Sequence, residues 1–415
     1  MYLESAGRLR PGQVVAEPML ASDGTVLIAA GTVLGPRLIE KLRERGIAHV
    51  TLRDGLADGV RPDHPVKAQT RRTVTHTLEK VFAGVHVATL AATSTDGRAG
   101  CVAETTRRLG DRPLPVDEQT RADLEALQSS VEQLIEEVLD GGALKSLESL
   151  KGHNDYTFEH SVDVAVTSTL LGHLAGLRRD ELSALALGGL LHDVGKTFVD
   201  LRVLEKPGPL DPAEREEIER HPRMGFELVK RLPLASILPA HIALQHHERQ
   251  DGTGYPNGLE GANRLERRTA ERLDPRRMLL LAEVCAVADV HSALTSDRPY
   301  RPAMTPEHAR EVLTGMAGRH LNRELVTILH AGVPIFTVGR WVALVGGPFD
   351  GWRGVVTKVC RESLDRPGVR LLVTADGREA ARPVELDLAD EPEALLRSVP
   401  PGNPVPDREH ASATA

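Results

Sequence analysis

The chain has 415 residues, a length that accommodates two or three domains, and 41% of them are hydrophobic, enough for at least one sizeable core. Aromatic residues are only 3%, so that core has to be built mostly from Leu, Val and Ala. A formal net charge of -8 argues against nonspecific binding to DNA or an anionic membrane as the main task, but not against a local basic pocket for a small anion.

Cys101, Cys285 and Cys360 are few, far apart and odd in number. A disulfide framework is therefore not expected, and a reducing compartment suits the chain. The opening stretch MYLESAGRLRPGQ lacks a basic region followed by an apolar run, and no apolar stretch reaches the length of a membrane span. The expectation is a cytoplasmic protein whose partners include neither a nucleic-acid polymer nor a membrane.

In chain order, RPGQVVAEPML and GTVLIAAGTVLG are short Val/Leu-rich runs separated by Asp-Gly and Ala-Gly turn signals, and they predict strands. PRLIEKLRERG predicts a short amphipathic helix ending near Gly46, and IAHVTLR predicts a last strand. From about residue 66 to 333 the pattern is helical. LEALQSSVEQLIEEVL places Leu124, Leu127, Val131, Leu134, Ile135 and Val138 on one helical stripe. LDPAEREEIERHP carries a start signal, with Asp211 as N-cap, Pro212 at the first helical position and Glu214 three residues after the cap. After Pro334, GRWVALVG, GWRGVVTKV, VRLLVTAD and ARPVELDL predict a second set of short strands.

The fold class expected is mainly α, an all-helical domain flanked by small N-terminal and C-terminal β modules. The boundaries read 1–58 for the first β module, 59–150 for a linker and helical region, 151–333 for the main helical domain, 334–392 for the second β module, and 393–415 for a tail expected to be disordered.

Histidines and aspartates in the middle region carry the chemistry. They are His160, His192, Asp193, His221, His246, His247 and Asp289, each on or beside a predicted helix. Imidazole and carboxylate suit first-row divalent metals. His192 and Asp193 close an almost wholly apolar helix in LLHDVGK, where an aspartate is costly unless paired or metal-bound. Lys196 lies four residues beyond His192, which predicts a shared face. Taken alone, the pair fits a helix C-terminus with a satisfied His-Asp contact equally well. His246 and His247 point about 100° apart on a helix, so both reach one site only near a helix end or between helices.

YTFEHSVDVA, LLHDVGK, LEKPGPLDPAEREEIERHP, QHHERQDGTGYPNGLEG and VADVHSALTSDRPYR occur in one order across residues 155–302, and with them the chain resembles the HD-GYP proteins, a bacterial subclass of the HD phosphohydrolase superfamily. The two flanking β stretches resemble modules found beside that domain, more weakly. The resemblance implies an HD-type catalytic domain that cleaves cyclic di-GMP to pGpG, GMP or both in bacterial second-messenger signalling. It implies metal ligands at His160, His192, Asp193, His221, His246, His247 and Asp289. In that picture Asp193 bridges two divalent metals; His160, His192 and Asp289 complete one, and His221, His246 and His247 the other. Iron or manganese is favoured, with zinc, cobalt and nickel chemically admissible.

Asp193 and Lys196 are the implied catalytic residues, and Lys196 also contacts substrate. Arg298 and Arg301 resemble the family's phosphate-contacting basic pair. Gly254, Tyr255 and Pro256 form the edge of the pocket, in a loop that the family links to substrate choice and to a protein partner.

Some positions depart from the pattern. Tyr156 stands where some relatives carry a glutamate for a third metal, with Glu159 the nearby acid. Ser292 replaces a usual second aspartate, which removes a supporting charge, and an aromatic position before it is His291. Residues 263–278 are an apparent insertion with six arginines, read as a lid, a phosphate-attracting flap or a solvated, partly helical surface loop. Glu283 stands where relatives often have arginine. These departures motivate a second reading, a weakly active or inactive cyclic-dinucleotide receptor or interaction module, and a third, a hydrolase for a hybrid cyclic dinucleotide. The helix before His160 suits a homodimer contact or a core-facing stripe equally.

Overall fold

A computed structural model of the chain describes residues 2–5, 9–16, 18–20, 26–44, 49–53, 57, 59–60, 64–93, 102–110, 112–141, 156–206, 208–267, 269–272, 274–296 and 303–399. These fall into two units, one from the described residues of 1–63 and 333–415, the other from those of 64–143 and 155–332. Among the described residues, no helix is long and apolar enough to cross a membrane.

The first unit begins with β1 (Tyr2–Ser5), β2 (Met19–Leu20), β3 (Val26–Ile28), helix α1 (Pro36–Glu44) and β4 (His49–Leu52). β1 pairs antiparallel with β4, from Tyr2 against Leu52 to Ser5 against His49, and β2 pairs with β3. The RPGQVVAEPML run gives only isolated bridges at Val14 and Val15 before β2, because Pro18 interrupts it and has no N–H for a ladder. β1, too short to show alternation, was not anticipated. Gly46 lies outside the described residues.

The same unit continues with β5 (Trp341–Val345), β6 (Arg353–Cys360), β7 (Ser363–Val373), β8 (Glu379–Asp387) and β9 (Leu395–Ser398), in one sheet of order β8-β7-β6-β5-β9. β9 corrects the expectation of a tail from residue 393. Val342 to Val345 pair antiparallel with Ser398 to Leu395, and this main-chain pairing holds a stretch that composition marks only as polar and proline-flanked.

The second unit is helical: α2 (Ala68–Thr93), α3 (Val102–Leu109), α4 (Glu118–Gly141), α5 (Tyr156–Leu174), α6 (Arg179–Leu191), α7 (Leu201–Leu204), α8 (Pro212–Glu219), α9 (His221–Val229), α10 (Leu238–Gln245), α11 (Thr269–Arg272), α12 (Leu280–Thr295), α13 (Pro306–Met316) and α14 (Arg323–Gly332). The six stripe residues of α4 are all buried, none more than 2% exposed, and each fully buried Leu contributes about 2 kcal/mol. Asp211 caps α8, accepting from the Ala213 and Glu214 amides while the Glu214 carboxylate accepts from the Asp211 amide.

Helices α12, α5, α6, α10 and α9 pack in succession, each on the next, and a 3-10 turn (Val194–Phe198) packs on α9. α2 packs on α5 and α4, and Arg71 of α2 reaches Asp163 at 2.6 Å and Glu159 at 3.1 Å. Burial opposes the Arg71 charge, but these carboxylates outweigh it and hold the guanidinium charged.

Among the described residues, the arginine-rich stretch 263–278 is a partly helical surface segment, with α11 inside it and the Arg264 and Arg276 side chains 50% and 87% exposed, and it is anchored rather than free. Glu260 bridges to Asp251 and to Arg277, and Asn263 donates its amide to Gln250 Oε1, so the stretch is knitted onto the glycine-rich loop. Arg267, 6% exposed at its side chain, lies 2.6 Å from the fully buried Glu283 carboxylate and donates to the Met278 carbonyl. Burial raises the Glu283 carboxyl even with that cation beside it. Arg267→Ala is expected to cost about 3 kcal/mol at neutral pH, because it leaves a buried carboxylate without its cation and with only neutral donors such as Asn322 Nδ2. The raised carboxyl sets the sign and the range: Glu283 is still protonated in both folded proteins across the ordinary carboxyl range, so the loss is small there and grows as pH rises above that range, through the raised folded-state value. Urea melts at several pH values check this, and a pH-independent loss would refute it.

Candidate metal centre

The five helices that pack in succession each contribute to one buried cluster. His160 sits in the first turns of α5, His192 at the C-cap of α6, His221 at the first position of α9, His246 at the C-cap of α10 with His247 next, and Asp289 in α12. Asp193, 1% exposed, stands between α6 and the 3-10 turn.

Three of the imidazoles share one local device. His192 Nδ1 lies 2.7 Å from the Gly189 carbonyl, His221 Nδ1 2.7 Å from that of Ile218, and His246 Nδ1 2.9 Å from that of Ala243. Each carbonyl belongs to the residue three positions earlier and can only accept, so each ring is assigned as the Nδ1–H tautomer with its Nε2 lone pair directed inward. Those Nε2 atoms converge on Asp193. His192 is 3.3 Å from Oδ2, and His221 and His246 are 3.3 and 3.8 Å from Oδ1. The two carboxylate oxygens therefore face different histidines.

The same geometry tests whether cations fit. The Nε2 atoms of His221 and His246 approach to 3.2 Å with their ring hydrogens already committed, and among the described residues buried Asp193 Oδ1 has no hydrogen-bond donor. Converging lone pairs around an unsatisfied carboxylate oxygen suit a divalent cation. The donor atoms of His221, His246 and His247 lie within 4.8 Å of one another, as do those of His160, His192 and Asp193. Asp289 joins the second group through His160 Nε2 at 3.0 Å.

Electrostatics keeps most of these groups in ligand form. Burial, then the charges of neighbouring imidazoles, holds His246 well below the ordinary value. Burial, then His221, pushes His247 down to about 3. Burial also lowers His221. Burial opposes the charge on His192 as well, but Asp193 outweighs it and raises this ring. For Asp193, burial is outweighed by His192 and Lys196, and for Asp289 by His160, so both carboxyls stay well below the usual range. Neutral imidazoles and ionised carboxylates are the states that bind metal.

Lys196 does not share a helix face with His192, because α6 ends at Leu191 and the chain tightens into the 3-10 turn. Its Nζ instead lies 2.6 Å from Asp193 Oδ2. The turn depends on Gly195, which the motif reading passed over: a Cβ there would lie 2.1 Å from the His221 carbonyl oxygen, so only glycine lets α9 start this close.

Ser292 takes over what looked like a lost function. Its Oγ lies 3.0 Å from His160 Nδ1, so a hydroxyl orients the ring. Ser292→Ala is expected to weaken metal retention about tenfold or more, with Ser292→Asp restoring it, read by metal analysis after dialysis against a graded chelator. Equal retention in all three proteins would show that Ser292 does not orient His160. Glu159 is directed elsewhere, to Arg71 and to Thr75 Oγ1 at 3.2 Å.

In the glycine-rich loop, Gly252 has positive φ and makes the turn, whereas Gly254 is needed for close approach, since a Cβ there would lie 2.4 Å from the Arg249 amide nitrogen. The Tyr255-Pro256 bond is cis, and the Tyr255 ring lies over His247 with centroids 4.8 Å apart. Glu248, 1% exposed, pins the loop by accepting from the Asn257 and Leu259 amides at 2.7 and 2.9 Å. Arg298 and Arg301 lie outside the described residues, as does the side chain of Tyr156.

Residues 145–264 match a family described as HD domain. The chain is 35% identical over 235 residues to a cyclic di-GMP phosphodiesterase of Pseudomonas aeruginosa, covering 56% of this chain and 52% of that protein. It is 38% identical over 164 residues to the cyclic di-GMP phosphodiesterase response regulator RpfG of Xanthomonas campestris, covering 39% and 40%. It is 34% identical over 174 residues to a 3'3'-cGAMP-specific phosphodiesterase of Vibrio cholerae, covering 42% and 31%. The chain thus spans about half the length, or less, of these curated relatives.

Proposed function

We propose that the helical region, of which residues 145–264 match an HD-domain family, is of the HD-GYP type, and that the protein is a metal-dependent phosphodiesterase that hydrolyses cyclic di-GMP to pGpG, GMP or both. The observation that carries the reading is the convergence of imidazole Nε2 atoms on the two oxygens of one buried carboxylate.

Two divalent cations, iron or manganese by preference, would be shared by Asp193. His160, His192 and Asp289 would hold one, and His221, His246 and His247 the other. Cations held there supply Lewis acidity toward water and the scissile phosphate. The rest of the work falls to the chain. The main-chain carbonyls of Gly189, Ile218 and Ala243 fix three rings before substrate arrives, so little reorganisation is left for the reaction. Lys196, 28% exposed at its side chain, holds Asp193 ionised and presents its ammonium to a phosphate entering the cluster. Tyr255 and Pro256 wall the site beside His247, and Arg298 and Arg301 are proposed as further phosphate contacts.

The test is anaerobic purification with metal analysis, followed at once by a cleavage assay resolved by chromatography. Two metals per chain and conversion to pGpG or GMP support the proposal. Bound metal with calorimetric binding of cyclic di-GMP but no turnover supports the receptor reading. The similarity to a 3'3'-cGAMP-specific enzyme favours testing that hybrid dinucleotide in parallel, with kcat/KM deciding between the substrates.

A further inference from the structure

His247 differs from the other imidazoles of the cluster in how it is held. His192, His221 and His246 each have Nδ1 on a main-chain carbonyl, and His160 has Nδ1 on Ser292 Oγ. Among the described residues, no hydrogen bond is made to either ring nitrogen of His247. Its half-buried ring is instead flanked by other rings: His246 at 4.1 Å, His221 at 5.0 Å and Tyr255 at 4.8 Å between centroids. Two of those neighbours belong to the metal-ligand set itself. Tyr255 is the one that comes from the glycine-rich loop, and it lies at 31° to the imidazole plane, closer to parallel than His246 or His221.

The backbone reinforces this contact. The Tyr255 amide donates to the His247 carbonyl at 3.2 Å, closing the loop back on the residue it stacks against. Gly254 runs against the main chain of Glu248 and Arg249, and the Glu248 carboxylate fastens the far side of the loop through the Asn257 and Leu259 amides. Arg223 of α9, two residues after His221, donates to Asn257 Oδ1 at 3.0 Å. The loop is therefore tied to both helices that carry the His221, His246 and His247 group.

We propose that Tyr255 is a positioning residue that orients the His247 ring by stacking, in place of the hydrogen bond that orients each of the other histidines, so that the conformation of the glycine-rich loop sets the affinity of the metal position formed by His221, His246 and His247. The inference rests on the proposed assignment of His247 as a ligand. Stacking restrains a ring less directionally than a hydrogen bond, because rotation within the stacked plane keeps the contact. Of the two positions, the one that includes His247 is therefore the more readily emptied, and it is the one that loop movement reaches.

The experiment uses the full chain loaded with manganese and compares wild type, Tyr255→Phe and Tyr255→Leu. Metal content is measured after dialysis against a series of chelator strengths, with circular dichroism as the folding control. Tyr255→Phe keeps the ring and is expected to retain metal as wild type does. Tyr255→Leu keeps the bulk but not the stack and is expected to fall from two metals to one at a chelator strength about tenfold or more weaker, while its second metal is held as in wild type. Gly254→Ala, which pushes the loop away from His247 without touching Tyr255, is expected to act in the same direction and serves if Tyr255→Leu does not fold. Unchanged metal retention in Tyr255→Leu, or in Gly254→Ala where that variant replaces it, overturns the inference. So does a loss in Tyr255→Phe equal to that in Tyr255→Leu, because the hydroxyl and not the stack would then be responsible. A wild-type protein that holds two metals and cleaves no cyclic dinucleotide would refute the proposed function and leave this inference intact.

Discussion

Asp193→Asn is expected to lose metal from both positions and to lower kcat/KM for cyclic di-GMP by about 10³, equivalent to about 4 kcal/mol. The substitution conserves shape, so packing around a residue 1% exposed is preserved. What changes is charge. The carboxylate faces His192 through Oδ2 and His221 and His246 through Oδ1, and an amide offers one neutral oxygen where two charged ones stood. Lys196 also loses its 2.6 Å partner, but it is partly exposed and can be solvated, so the fold survives. Metal analysis, circular dichroism and the cleavage assay on one preparation separate these effects. A variant that keeps two metals and more than about a tenth of wild-type activity would remove Asp193 from the shared position.

Stripping the metal is expected to lower thermal stability by about 4 kcal/mol when the free metal had stood about 1,000-fold above its dissociation constant, a shift in Tm on the order of 10 °C for a helical unit of this size. The cause is local: lone pairs of His221 and His246 face each other at 3.2 Å, and Asp193 Oδ1 is a buried acceptor with no donor among the described residues. A cation held by these residues would compensate their desolvation, and its removal would leave it uncompensated. Calorimetry with and without chelator reads the shift. The sharper readout is Asp193→Asn, whose Tm is expected to be nearly indifferent to chelator. An equal shift in both proteins would place the stabilising metal elsewhere.

Much of the fold was legible because its signals are local. The α4 stripe from Leu124 to Val138 needs only the helical period, and the Asp211, Pro212 and Glu214 start needs only three neighbouring residues. β1 and β9 were missed because neither has an internal pattern. Each exists by pairing with a distant partner, β4 for one and β5 for the other.

The candidate site divides along the same line. By itself the sequence determined the chemical inventory: histidines and aspartates of metal-binding type, a neighbouring lysine, and a glycine-rich loop after paired imidazoles. Spacing along the chain says nothing about second partners, and those only the tertiary structure decided. It paired Lys196 with Asp193, turned Glu159 away to Arg71, set Ser292 against His160, docked Arg267 on Glu283 and laid Tyr255 over His247. Lys196 and Asp193 are three residues apart in one turn, but the others join separate parts of the chain, and the energy of each contact depends on distance and burial, quantities that a linear pattern does not carry.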